Sequence, residues 1–132
     1  MENMVFGIPL DLDDFHLAFQ TIEKIREDLL GGVVAMVGLY ENSLRSNLRS
    51  ANSYGADLVL IFDKKRFGDK IAIKDMVKHT QVVVDKHEVF DKVKELLGIS
   101  YPKELLMNYK AEELSLDTVE TLLELYYKKG YK

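Results

Sequence analysis

Residues 33–62, VVAMVGLYENSLRSNLRSANSYGADLVLIF, decide the fold class. Val33 to Leu39 is a short, almost wholly apolar run rich in valine, as in a strand covered on both faces. A polar turn follows. Leu44, Leu48 and Ala51 then recur at i, i+4 and i+7, which gives a helix one buried stripe, and Gly55 ends it. Asp57 to Phe62 is apolar again. Two buried strands joined by a crossover longer than a hairpin imply parallel strands with a helix packed over them.

The same alternation extends outward. Leu17, Ala18, Ile22, Ile25 and Leu29 keep helical spacing between Asp13 and Leu30, and Gly31-Gly32 stops that helix. Beyond Phe62, Asp63–Lys70 reads as a charged, glycine-containing loop. Ile71 to Ile73 is too short to assign, and Gln81 to Val84 reads as a third strand. Asp85 offers an N-cap with Glu88 three residues on, opening a helix through Leu97 that Gly98 terminates. The expectation is an α/β fold with a small, mainly parallel sheet of three to four strands flanked by helices. Pro102 restarts the chain, Lys103–Lys110 reads as a short helix, and Asp117 with Glu120 opens another to about Lys129. Residues 1–98 are therefore expected as the α/β core and 99–132 as a helical appendage. Leu122, Leu123, Leu125, Tyr126 and Tyr127 make the last helix apolar over a wide arc. That predicts a homo-oligomer through residues 117–129, or docking of this helix on the sheet.

The 132 residues suffice for one domain with a real core, and 47% hydrophobic with 30% charged residues is ordinary globular chemistry. The absence of cysteine excludes disulfides, thiolate metal sites and cysteine nucleophiles. No apolar run approaches the roughly 20 residues of a membrane span, and no signal-like start is present, so the chain reads as soluble and cytoplasmic. The net charge of −4 is uneven. Residues 1–42 carry two Lys or Arg against eight Asp or Glu, residues 43–80 eight against four, and residues 81–132 eight against ten. A locally basic middle in an acidic protein suits a polyanion such as RNA, though Lys64, Lys65 and Arg66 also suit a merely solvated turn.

Chemistry concentrates in the same stretch that decides the fold. Arg45 and Arg49 lie one helical turn apart on the polar side of their helix, so both guanidinium groups can face one phosphate-bearing partner. Asn42, Ser43 and Ser46 supply caps and donors at the positive helix end. The strand, turn and helix ending Arg49-Ser50-Ala51-Asn52-Ser53-Tyr54-Gly55-Ala56-Asp57 resemble the first motif of SpoU-type RNA ribose methyltransferases of the SPOUT superfamily. There an asparagine-bearing turn leads to a helix reading Arg-Ser/Thr-Ala-x-x-Phe-Gly-Ala/Val-x. The resemblance implies RNA as partner, Arg49 as the arginine near the reacting ribose, and S-adenosylmethionine as cofactor. The turn asparagine of the family falls on Ser43, beside Asn42. The family's two later motifs, which hold the cofactor, have no counterpart, since residues 99–132 contain a single glycine, Gly130. The resemblance thus implies an RNA-associated protein without methyltransferase activity of its own.

Two other classes remain open. A non-catalytic oligomeric or partner-binding domain fits the apolar last helix. Asp57, the apolar strand after it and Ile71-Ala72-Ile73-Lys74 resemble the metal hairpin of PD-(D/E)xK nucleases, with Ala72 in place of the second carboxylate and Asp75 on the opposite strand face. Asp11, Asp13 and Asp14 read as a helix start favoured by the dipole rather than a cation site. His16, His79 and His87 have no ligand spacing, so no metal site is expected. Ser43, Ser46 and Ser50 lack a nucleophile elbow. Lys64-Lys65-Arg66-Phe67 joins cations to an aromatic, as single-strand-binding loops do.

Overall fold

The apolar run Met4 to Ile8, upstream of every strand anticipated above, forms an interior strand of the sheet, paired on both sides. The computed structural model describes residues 3–29 and 33–99. In chain order these form β1 (Asn3–Pro9), α1 (Leu12–Asp28), β2 (Val33–Val37), α2 (Leu44–Ser53), β3 (Leu58–Phe62), α3 (Lys64–Phe67), β4 (Lys70–Asp75), β5 (Thr80–Asp85) and α4 (Val89–Leu97). The sheet has the order β2-β1-β3-β4-β5. β1 pairs in parallel with β2, Val5 opposite Ala35, and with β3, Gly7 opposite Leu60. β4 runs antiparallel to β3 and to β5, with Leu60 opposite Ile73 and Ile73 opposite Val82.

This is the expected α/β class, with five strands rather than three or four, and with β4 alone reversed. The reversal arises in the segment 63–73. The charged stretch after β3 contains a four-residue helix, and Ile71-Ala72-Ile73 becomes the middle of a strand paired on both sides. Asp85 closes β5 and accepts the His87 backbone N–H at 2.9 Å, so the following helix starts at Val89 rather than at Asp85.

Two crossovers leave on opposite sides of β1, and right-handed connections then place their helices on opposite sheet faces. The core divides accordingly. On one face Ala18, Ile22, Ile25 and Leu29 of α1 and Val89 and Val93 of α4 pack on Val5, Leu58, Leu60, Phe62, Ile71 and Ile73. On the other, Ala51, with half-buried Leu44 and Leu48, packs on Met4, Phe6, Ile8, Val59, Ile61 and Ala72. Burying each large aliphatic side chain contributes roughly 1.5–3 kcal/mol, so the α1 face holds more of the stability. Gly7 lets α1 approach β1, because a Cβ there would stand 2.9 Å from Ile22 Cγ1.

No helix of the described residues is long and apolar enough to cross a membrane. The expected appendage 99–132, including the helix 117–129, lies outside the described residues apart from Ile99, which packs in the α1-face core.

Candidate nucleic-acid interface

The parallel strands β1, β2 and β3 end on one edge of the sheet, and three helices start there. At this edge β1 leads towards β2 while β3 leads towards β4, the kind of divergence beside which open α/β sheets bind ligands.

α2 follows β2 through a turn in which Gly38 N–H donates to Gly7 O at 2.8 Å and Asn42 N–H to Leu39 O at 3.1 Å. Ser43 Oγ accepts the Ser46 N–H at 3.0 Å and so caps the helix. Asn47 is 2% exposed, and its Nδ2 donates to Leu39 O at 2.9 Å, which locks the turn to the helix. Gly38 makes room for that lock, since a Cβ there would meet Asn47 Oδ1 at 2.8 Å and Phe6 Cε1 at 2.9 Å. With Leu44, Leu48 and Ala51 turned inward, Arg45 and Arg49 are exposed on the solvent side. The helix contains no Asp or Glu. Among the described residues neither guanidinium group has a carboxylate partner. Tyr54, at the helix end, is 60% exposed and stacks on Phe6 with ring centroids 6.2 Å apart.

The second basic group follows β3. Asp63 Oδ1 accepts the Arg66 N–H at 3.3 Å, opening the short α3, and the Arg66 guanidinium lies 5.1 Å from the Phe67 ring centroid. Phe67 packs into the same core cluster as Leu44 and Leu48, while Lys64, Lys65 and Arg66 stay exposed. Lys65 Nζ lies 3.7 Å from Asp11 Oδ2. The buried Asp14 carboxylate, 5% exposed, accepts the Lys64 backbone N–H at 2.8 Å. Burial pushes the Asp14 carboxyl up; the Lys64 amide opposes that and the neighbouring Asp11 carboxylate adds to it. An open cleft of about 280 Å³ between α1 and this turn is lined by Asp14, His16, Gln20, Phe62, Lys70 and Lys86 among others.

Asn42, Ser43, Arg45 and Lys64 to Arg66 therefore belong to one edge, and Arg49 sits one turn further along α2. Among the described residues no hydrogen bond or ion pair joins the α2 group to the α3 group. The nuclease-like residues are engaged elsewhere. Asp57 Oδ2 accepts the Met4 N–H at 2.8 Å, Ala72 is fully buried, and Asp75 Oδ1 accepts the Val77 and Lys78 N–H groups at the β4–β5 turn. Asp11 caps α1 through the Asp13 N–H at 3.0 Å, so its dipole-favoured helix start is borne out. Among the described residues no three His, Asp or Glu side chains form a group that could hold a metal ion. Sequence reading passed over Asp14 as a partner of the basic turn, because the bond spans fifty residues and no local pattern announces it.

No protein-family model and no curated relative matches the sequence. Solved structures do. The fold is similar to that of a part of solved histidyl- and threonyl-tRNA synthetase structures. The chain is similar to histidyl-tRNA synthetase from Nostoc sp. PCC 7120 (TM-score 0.61, 15% identity, 74% of this chain and 23% of that one). It is similar to apo histidyl-tRNA synthetase from S. aureus (TM-score 0.58, 14% identity, 69% and 23%). A third is the RNA-binding domain of threonyl-tRNA synthetase from Cryptosporidium parvum Iowa II (TM-score 0.58, 7% identity, 71% and 23%). The chain spans about a quarter of the length of each, and at these identities the likeness is one of fold.

These neighbours overturn the SpoU-type resemblance. The matching letters have a packing explanation: Ala51 and Ala56 are buried, Gly55 ends α2 at φ +75°, and Asp57 ties β3 to Met4. S-adenosylmethionine was implied by that resemblance alone and loses its support with it.

Proposed function

We propose that this chain is an RNA-binding domain that grips the phosphates of an unpaired strand along α2 and the α3 turn. Arg45 and Arg49 supply the principal contacts. Asn42 and Ser43 add polar donors at the start of α2, and Lys64, Lys65 and Arg66 extend the contact along the edge. One observation carries this reading: two exposed arginines one turn apart, with no carboxylate partner among the described residues, on a helix without acidic residues. Arginine forks suit phosphate oxygens, and unpaired cations release phosphate counterions without first breaking ion pairs. Exposed Tyr54 offers a face for base stacking. The likeness in fold to the threonyl-tRNA synthetase RNA-binding domain supports the same reading.

Titrating a fluorescein-labelled single-stranded RNA at several salt concentrations tests it. Arg45→Ala with Arg49→Ala is expected to make the plot of log affinity against log salt shallower by roughly 1.4, at about 0.7 per phosphate lost. An unchanged slope and affinity would reject the reading.

A second reading, a protein-docking domain, has its own observation. Leu12 and Phe19 on α1 are 64% and 49% exposed, and the Phe15 ring contacts both Phe19 and Tyr40. It predicts concentration-dependent assembly with no RNA affinity, and the proposed self-association through 117–129 belongs with it.

A further inference from the structure

We infer that Asp14 is a positioning residue for RNA binding, holding the Lys64–Arg66 turn in its binding-ready place through the Lys64 backbone amide. The inference rests on the RNA-binding reading above and adds to it a residue of the opposite charge, on the other crossover helix.

The turn has few bonds of its own: Phe67 N–H donates to Asp63 O at 2.8 Å and Gly68 N–H to Lys64 O at 2.9 Å. α3 is four residues long and contributes no fully buried side chain, and a single helical turn is costly to nucleate. Only Phe67 packs inward. The Asp63 cap, at 3.3 Å, is long for an N–H···O bond. The turn's polar ties to the rest of the fold come from the first crossover. Leu10 N–H donates to Phe62 O at 3.0 Å, and Asp14 Oδ1 then takes the Lys64 N–H at 2.8 Å. Lys65 leans towards Asp11 Oδ2, but it is 84% exposed along its side chain and the 3.7 Å contact adds little. A short, charge-assisted bond to a carboxylate that is only 5% exposed is the strongest of these ties.

A carboxyl group is a poor choice for merely filling this position. Burying it is unfavourable, and an aliphatic residue on the same face of α1 would add apolar area. Its use is the acceptor it brings to Lys64. Without it the Lys64 N–H is orphaned, the turn samples other conformations, and the three cations lose the preorganisation that makes phosphate contacts cheap.

The test uses the full chain and a short fluorescein-labelled single-stranded RNA. Asp14→Ala is expected to bind about fivefold more weakly and to flatten the salt dependence by roughly 1, whereas Asp14→Asn, whose amide oxygen still accepts from Lys64, binds within about twofold of the parent. A variant carrying Lys64→Ala, Lys65→Ala and Arg66→Ala loses roughly 2 from the slope, and adding Asp14→Ala to it changes nothing more. If Asp14→Ala does not fold, Asp14→Leu fills the buried volume without an acceptor and replaces it. Amide exchange gives a second readout: in the non-accepting variants the Lys64 N–H exchanges faster while the β3 amides stay protected.

Full affinity in Asp14→Ala or Asp14→Leu, alongside weakened binding in the three-cation variant, would overturn the inference and leave the RNA reading standing. So would an equal loss in Asp14→Asn, or a Lys64 amide still protected without the carboxyl group. Unchanged binding in the three-cation variant and in the Arg45, Arg49 variant together would overturn the RNA reading itself, and the inference with it.

Discussion

α1 and α2 occupy equivalent places, each following a parallel strand and crossing to the next, yet they are built to opposite ends. α1 buries Asp14, Ala18, Ile22 and Ile25 and opens on acidic residues. α2 buries Asn47 and Ala51 and opens on a serine cap with a cation in its first turn. The acidic start of α1 complements the helix dipole, and Arg45 opposes it. The molecule thus has one crossover that anchors the sheet and another that gives up stability to present charge.

The largest test of that contrast is in the core. Ile22→Ala leaves a cavity in the fully buried α1 face and is expected to cost about 2–5 kcal/mol, while Leu48→Ala on half-buried α2 costs about 1–2 kcal/mol. Urea denaturation of both variants measures it, and equal losses would dissolve the distinction between anchoring and presenting helices. Asn47→Ala sharpens it next. Removing the Nδ2 donor takes away one of the two hydrogen bonds that the Leu39 carbonyl accepts, at about 0.5–1.5 kcal/mol, and loosens the turn that sets Asn42 and Ser43.

How much of this was legible varied with the range of the interactions concerned. The inward stripe of α2, and hence the outward Arg45 and Arg49, followed from spacing alone, because helical periodicity is local. β1 was not anticipated although Met4 to Ile8 is apolar, since five such residues near a terminus acquire meaning only from strands paired on both sides. Ile71-Ala72-Ile73 was unassignable for the same reason. Its strand identity comes from Leu60 and Ile61 on one side and Val82 and Val83 on the other, and with it came the antiparallel turn that a mainly parallel expectation left out. The Arg49-to-Asp57 letters misled because small residues and a glycine where a helix meets a strand serve packing in many folds.

Arg45→Glu separates stability from function at a smaller scale. Replacing the first-turn cation by an anion is expected to stabilise the fold by about 0.5–1 kcal/mol through the dipole, while weakening RNA binding more than Arg45→Ala does. Thermal unfolding and the RNA titration on the same sample decide it. A variant that is less stable than the parent would remove the claim that α2 sacrifices stability for charge.

The smallest expected effect is a pH dependence of unusual sign. The Asp14 carboxyl is pushed up chiefly by burial, against the Lys64 amide and with help from Asp11, whereas in the unfolded chain it titrates as an ordinary aspartate. Between those two values the native chain holds a proton that the unfolded chain has released, so the Asp14 contribution to stability falls as pH rises through that window. Below the unfolded value the penalty is absent, and above the native value it is fully present. Asp14→Asn removes the titration while keeping an acceptor for Lys64, and its amide can donate to Asp11. The stability of the parent relative to Asp14→Asn is therefore expected to be greatest in acid and to decline towards neutral pH. Paired urea melts from pH 4 upwards measure that difference, and one that is flat or rises with pH would show that Asp14 is held as a comfortable carboxylate rather than a strained one.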